Sequence, residues 1–103
     1  MTAFAYTVDR RDSHVTLHLT GELDLAAAPG LESALDAVLA DSEDVVLDIA
    51  EVTFLDSSGL RVLVAAQNQS SELGKTLTLV NPSAAVSRIL EITGLGKTLL
   101  PDT

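Results

Sequence analysis

Apolar and polar residues alternate at the start of the chain. Phe4, Tyr6 and Val8 are separated by small or polar neighbours, the period of a half-buried strand. Asp9 to Ser13 is polar and reads as a turn. Val15, Leu17 and Leu19 then alternate with Thr16, His18 and Thr20, which predicts a second strand. A short turn between two such runs predicts an antiparallel hairpin. Gly21-Glu22-Leu23-Asp24 breaks the alternation, and Leu25 to Ala40 follows, rich in Ala and Leu. Leu31, Leu35, Val38 and Leu39 fall on one helical face, with Pro29 acceptable only near the helix start.

Val45 to Ile49, interrupted by Asp48, reads as a central strand covered on at least one face. Glu51 to Leu55 reads as a connecting segment. Leu60, Leu63, Val64 and Gln67 then recur at helical spacing, with Asp56 as N-cap and Leu73-Gly74 as the stop. Leu77 and Leu79 among threonines predict a fourth strand. Asn81-Pro82-Ser83 is a turn, with Ser83 capping a helix over Ala84 to Ile92. Lys97 to Leu100 reads as a short edge strand. The order β-β-α-β-α-β-α-(β) contains two crossovers, so parallel pairing in the second half joins an antiparallel opening hairpin. The fold class is α/β: one small mixed sheet with helices packed against it, residues 1–103 forming one unit.

Composition narrows the function. The chain has 103 residues, and its 47% apolar and 20% charged content is that of a globular core-former rather than a disordered chain. No apolar run approaches the roughly 18 residues of a membrane helix. Met1 to Val8 has no basic stretch leading into an apolar one, so no secretory leader is expected. With no cysteine, disulfides and thiolate metal sites are excluded. Six basic residues against fifteen acidic ones give a net charge of −9, which repels phosphate backbones and anionic membranes and favours a basic protein partner. Phe4, Tyr6 and Phe54 are too few to build a stacking platform for bases or sugars.

The candidate chemistry is concentrated in Asp56-Ser57-Ser58-Gly59, which follows a strand-like run and opens a helix. Asp and Ser are ordinary helix-start residues, so capping alone accounts for them. The functional alternative is a phosphorylation site, where free N–H groups and the helix dipole favour an anion. A nucleophilic serine needs an oriented base. The two histidines, His14 and His18, lie on the second strand, and no Gly-x-Ser-x-Gly elbow is present, so a hydrolase is not expected. Asp24, Asp48 and Asp56 have no spacing that demands a metal. Gly94-Leu95-Gly96-Lys97-Thr98 lacks the first glycine of a phosphate loop. No cofactor is expected.

Four segments together carry a resemblance: Gly21-Glu22-Leu23-Asp24, Phe54-Leu55-Asp56-Ser57-Ser58-Gly59-Leu60, Asn81-Pro82-Ser83 and Ile92-Thr93-Gly94-Leu95. In order and spacing they resemble the STAS domain of anti-sigma factor antagonists over nearly the whole chain. The resemblance implies a cytoplasmic, non-catalytic regulator whose unphosphorylated form binds an anti-sigma factor that is also a serine kinase. That binding frees the sigma factor. Phosphorylation of the serine after the motif Asp, here Ser57, ends the binding, and a serine phosphatase restores it. It further implies a partner-binding set of Asp24, Phe54, Leu55, Asp56, Ser57, Ser58, Gly59 and Arg61. Arg61 departs from the small residue usual at its position. It lies four residues after Ser57 on the same helical face, in reach of a phosphate there or, alternatively, open to solvent or partner. Other readings of the same fold are a sensory or structural STAS module, of stress-complex or transporter type, and a small-ligand binder.

Overall fold

The computed structural model describes residues 3–99. Strand β1 (Ala5–Arg11) pairs antiparallel with β2 (His14–Leu23), as the hairpin reading predicts, with Tyr6 opposite Leu19 and Val8 opposite Leu17. Strand β1 is not half-buried, however: it is the edge of the sheet and every one of its residues is exposed, and it runs on through Asp9 to Arg11, so the turn is Asp12-Ser13 alone. Helix α1 (Ala28–Asp41) crosses to β3 (Asp44–Leu55), which lies parallel to β2. Helix α2 (Ser57–Glu72) crosses to β4 (Thr76–Val80), parallel to β3. Helix α3 (Ala84–Thr93) and the single turn α4 (Gly96–Leu99) complete the order. The sheet runs β1-β2-β3-β4.

One face of this sheet carries the core. Val15, Leu17, Leu19 and Leu23 of β2, Val45, Leu47, Ile49, Val52 and Leu55 of β3, and Leu77 and Leu79 of β4 are buried. They form one cluster with Leu31, Leu35 and Leu39 of α1, Leu60 and Leu63 of α2, and Val86 and Leu90 of α3. The alternate positions, among them Thr16, His18, Val46, Asp48 and Thr78, stay exposed or half-buried on the other face. A pleated strand sends successive side chains to opposite faces, so this one-sided burial is what the alternation requires.

Four further expectations need correction. Gly21 to Leu23 does not end β2; the strand continues through Gly21, whose φ of +88° suits a residue without Cβ. Glu51 to Leu55 is not a connector but the second half of β3. The register slips between His18/Thr20 and between Gly21/Glu22, so β3 holds one extra residue at each place. Its buried positions accordingly fall at 45, 47, 49, 52 and 55, and the period of two is lost. Helix α1 begins at Ala28, not Leu25. The Asp24 carbonyl accepts from the Ala27 and Ala28 N–H groups in a preceding turn, and Pro29 occupies the first helical turn. Lys97 does not start an edge strand. Gly94, at φ +74°, ends α3, and a turn of helix then closes with Leu99 N–H donating to the Leu95 carbonyl at 3.0 Å and Leu99 buried. Leu100 lies outside the described residues.

Candidate functional site: the start of helix α2

The carboxyl ends of parallel β2 and β3 lie side by side, with Leu23 opposite Leu55. Both chains leave the sheet there, β2 into the Asp24 turn and β3 directly into α2. Asp56 is the hinge between strand and helix. Its backbone is extended (φ −105°, ψ −176°), and its Oδ1 accepts from Ser58 N at 2.8 Å and Gly59 N at 3.1 Å. Two of the helix's free N–H groups are thereby satisfied, the N-cap role its residue type predicts. Asp56 N–H donates in turn to the Leu23 carbonyl at 3.3 Å, tying the start of α2 to the end of β2.

Gly59 makes this tie possible. A Cβ on it would stand 2.3 Å from the Leu23 carbonyl oxygen and 2.9 Å from Leu23 Cβ. The first turn of α2 therefore sits on the β2 backbone, and only glycine permits that approach. Ser57, one position into the helix, is exposed, whereas Ser58 is half-buried. Asp24 is half-buried across the same end, where its Oδ1 accepts from Ala27 N at 3.0 Å and shapes the turn.

The residues that the resemblance marks for a partner divide into two groups. Phe54, Ser57 and Arg61 are exposed, and Asp24, Asp56 and Ser58 are half-buried at the same end. Leu55 and Gly59 are different. Leu55 is 1% exposed and points into the core, and Gly59 is buried against β2, so neither offers a surface to a partner. Their adjacency to Asp56 in the motif reflects how the loop is built.

Sequence reasoning missed several apolar residues. Leu25 is 73% exposed in the turn after Asp24, which the helical reading had placed inside α1. Ile92 is 77% exposed at the end of α3. Leu95 joins Ser57, Leu60, Arg61 and Val64 around a shallow depression of about 350 Å³. The signal available was the Ile92-to-Leu95 segment, whose place beside α2 only the folded chain reveals.

The acidic residues do not converge. Asp48 Oδ2 meets His18 Nδ1 at 3.2 Å on the open sheet face, and His14 Nδ1 meets Asp44 Oδ2 at 2.8 Å further along it. Asp24 and Asp56 are engaged with backbone N–H groups. Among the described residues, no three His, Asp or Glu side chains are grouped to hold a metal ion. Both histidines belong to strand β2, on the face opposite the one α2 covers, and neither is oriented as a base for Ser57. No helix among the described residues is long and apolar enough to cross a membrane.

Known proteins share both the sequence and the architecture. The family described as Mlab, STAS domain matches residues 6–101. The anti-sigma-B factor antagonist of Listeria monocytogenes is 36% identical over 89 residues, which are 84% of this chain and 77% of that one. Its counterpart in Bacillus subtilis is 30% identical over 88 residues, 85% of this chain and 81% of that one. Among solved structures, an anti-sigma factor antagonist from Mycobacterium paratuberculosis superposes with a TM-score of 0.85 at 33% identity, covering 97% of this chain and 87% of that one. The unphosphorylated form of the antagonist SpoIIAA has the same fold, with a TM-score of 0.79 at 22% identity over 96% of this chain and 89% of that one. A mixed four-stranded sheet, an Asp-capped helix start carrying an exposed serine, and relatives matched across most of their length place this chain in the STAS-domain family of anti-sigma factor antagonists.

Proposed function

We propose that this chain is a phosphorylation-controlled binder of an anti-sigma factor serine kinase, and that Ser57 is the residue modified. The observation that carries the reading is the exposure of Ser57 in the first turn of α2, next to an Asp56 already committed to capping. A kinase can reach Ser57 without unfolding the helix. Ser58 is the poorer acceptor, because it is half-buried.

In the unphosphorylated state the docking surface is the end of the sheet where β2 and β3 stop. Leu25 and Phe54 supply exposed apolar anchors there, and Glu22, Asp24 and the net charge of −9 favour a basic partner. A phosphate on Ser57 adds about −1.5 to −2 charges at that surface. The domain tolerates it, because a helix start suits an anion. The complex does not, because at the apolar contact made by Leu25 and Phe54 the phosphate is bulky and costly to desolvate, whatever the basic charge at the rim. About 1.4 kcal/mol of difference gives a tenfold change in affinity, so a modest penalty switches the partner off. A serine phosphatase reverses the step. The chain acts as a cytoplasmic, non-catalytic regulator in this cycle.

The test is incubation with candidate anti-sigma kinases and ATP, read by intact mass and phosphopeptide mapping. One phosphate on Ser57 is the expected result; phosphate on Ser58 alone overturns the assignment. Calorimetric titration of the kinase then separates the variants. Ser57→Ala keeps affinity within a few-fold, and Ser57→Asp loses about tenfold. Equal affinities for the two refute a switch based on charge.

A further inference from the structure

Arg61 stands between Ser57 and two acidic residues of α1. On one side it lines the depression that contains Ser57, Leu60 and Leu95. On the other it lines a groove of about 200 Å³ between α1 and α2, whose opposite wall carries Glu32 and Asp36. Those two acids are four residues apart on α1 and both exposed, so they form one ridge. The floor of the groove is apolar, made by Leu35, Val62 and Ala66. Among the described residues Arg61 forms no ion pair with a carboxylate; the pairs present involve Arg10, Arg11, His14 and His18. Arg61 thus lines both depressions without a salt bridge that fixes it to either one.

Helix geometry adds a direction. Long side chains on an α-helix lean toward the N-terminal turn, so Arg61 covers the turn that begins at Ser57. We propose that Arg61 is a shared counter-ion: it balances the Glu32/Asp36 ridge of α1 while Ser57 is unmodified and moves to the phosphate once Ser57 carries one. The proposal rests on Ser57 as the phosphorylated residue and goes beyond it, because it makes the α1–α2 groove a second surface that changes with modification. The physical reason is competition. Two solvated carboxylates each carry one negative charge and are screened. A phosphate carries up to two, offers three acceptor oxygens, and accepts a bidentate pair from a planar guanidinium. When Arg61 leaves, the ridge loses its positive neighbour and the groove becomes more acidic.

The experiment uses the full chain with phosphoserine installed at position 57 during translation, so no kinase is needed. A failed kinase reaction therefore tells against the proposed function alone, and the result here tells on Arg61 alone. Two-dimensional NMR is recorded for wild type and Arg61→Ala, each with and without the phosphate. Phosphorylation is expected to shift the Arg61 Nε–Hε signal in wild type and the backbone amides of residues 32–36 in wild type but not in Arg61→Ala. Thermal melts of the same four proteins give the coupling. The phosphorylated wild type is expected to gain about 3 °C that Arg61→Ala lacks. Adding Glu32→Gln with Asp36→Asn is expected to enlarge that coupling, because the competing anions are gone. Amide shifts in α1 that are equal with and without Arg61, a coupling of zero, a coupling unchanged by the α1 substitutions, or a phosphorylated chain that does not fold would each overturn the proposal.

Discussion

Replacing Gly59 with Ala adds one methyl group where the folded chain has no room for it. The new Cβ would lie 2.3 Å from the Leu23 carbonyl oxygen, and ordinary contact begins near 3.4 Å, so about 1.1 Å of movement is required. Leu23 cannot give way, since its side chain is 1% exposed within the core. The start of α2 must therefore lift away from β2. That movement lengthens the 3.3 Å bond from Asp56 N–H to the Leu23 carbonyl. Overpacking of this kind costs about 1–3 kcal/mol, and a lost hydrogen bond costs about 1 kcal/mol net. Alanine's better helix propensity returns at most about 1 kcal/mol. The expected net loss is about 2 kcal/mol, or a fall of about 10 °C in Tm for a domain of this size. Urea unfolding of the variant and the parent, fitted with a common m, measures it. Gly30→Ala is the internal control. Its added Cβ meets Phe4 Cε2 at 3.7 Å, an ordinary contact, so α1 should gain about 0.5–1 kcal/mol from the same chemical change. A Gly59→Ala protein within 0.5 kcal/mol of its parent would refute the idea that α2 is seated on the β2 backbone. On the proposed function, in which Ser57 is the residue phosphorylated, the kinase reaction should slow as well, because Ser57 rides on that first turn.

Asp56→Ala removes the acceptor for Ser58 and Gly59 N–H and should cost about 1–2 kcal/mol in urea unfolding, while Asp56→Asn, which keeps an acceptor oxygen, should cost less than half as much. Leu55 and Phe54 are neighbours with opposite expected effects. Leu55→Ala should lose about 2–5 kcal/mol of stability, as core truncations do. Phe54→Ala, at 46% exposure, should leave the melt nearly unchanged and weaken kinase binding about tenfold by calorimetry. The opposite outcome would place Phe54 in the core's service and Leu55 at the interface.

Much of the fold is legible in the sequence because its signals are local. The hairpin is written in two alternating runs joined by a polar turn, and β1 and β2 pair through that turn. The caps are equally local: Asp56 accepts from N–H groups two and three residues on, and Ser83 accepts from Val86 N. Such bonds form within one turn of chain, so residue type and spacing suffice to foresee them. The same holds for the position of the candidate site, since Asp56-Ser57 must open α2 wherever α2 is packed.

Tertiary structure alone decided the rest. Glu51 to Leu55 alternates Val52 and Phe54 with polar residues, yet Val52 and Leu55 are the buried positions, because two extra residues in β3 are absorbed by register shifts against β2, and a register is a property of two strands. Lys97 to Leu99 has apolar character suited to strand or helix. It becomes a helical turn because Leu99 must reach the core immediately after Gly94 ends α3. The same cause separates Leu55 from Phe54 and gives Gly59 its role. Which of two adjacent residues faces inward, and how closely a backbone passes, depend on groups more than 30 positions apart in the chain, as Leu23 and Gly59 are. Local propensity specifies what each segment prefers to be; the burial of one sheet face against the helices specifies which side chains are left outside to act.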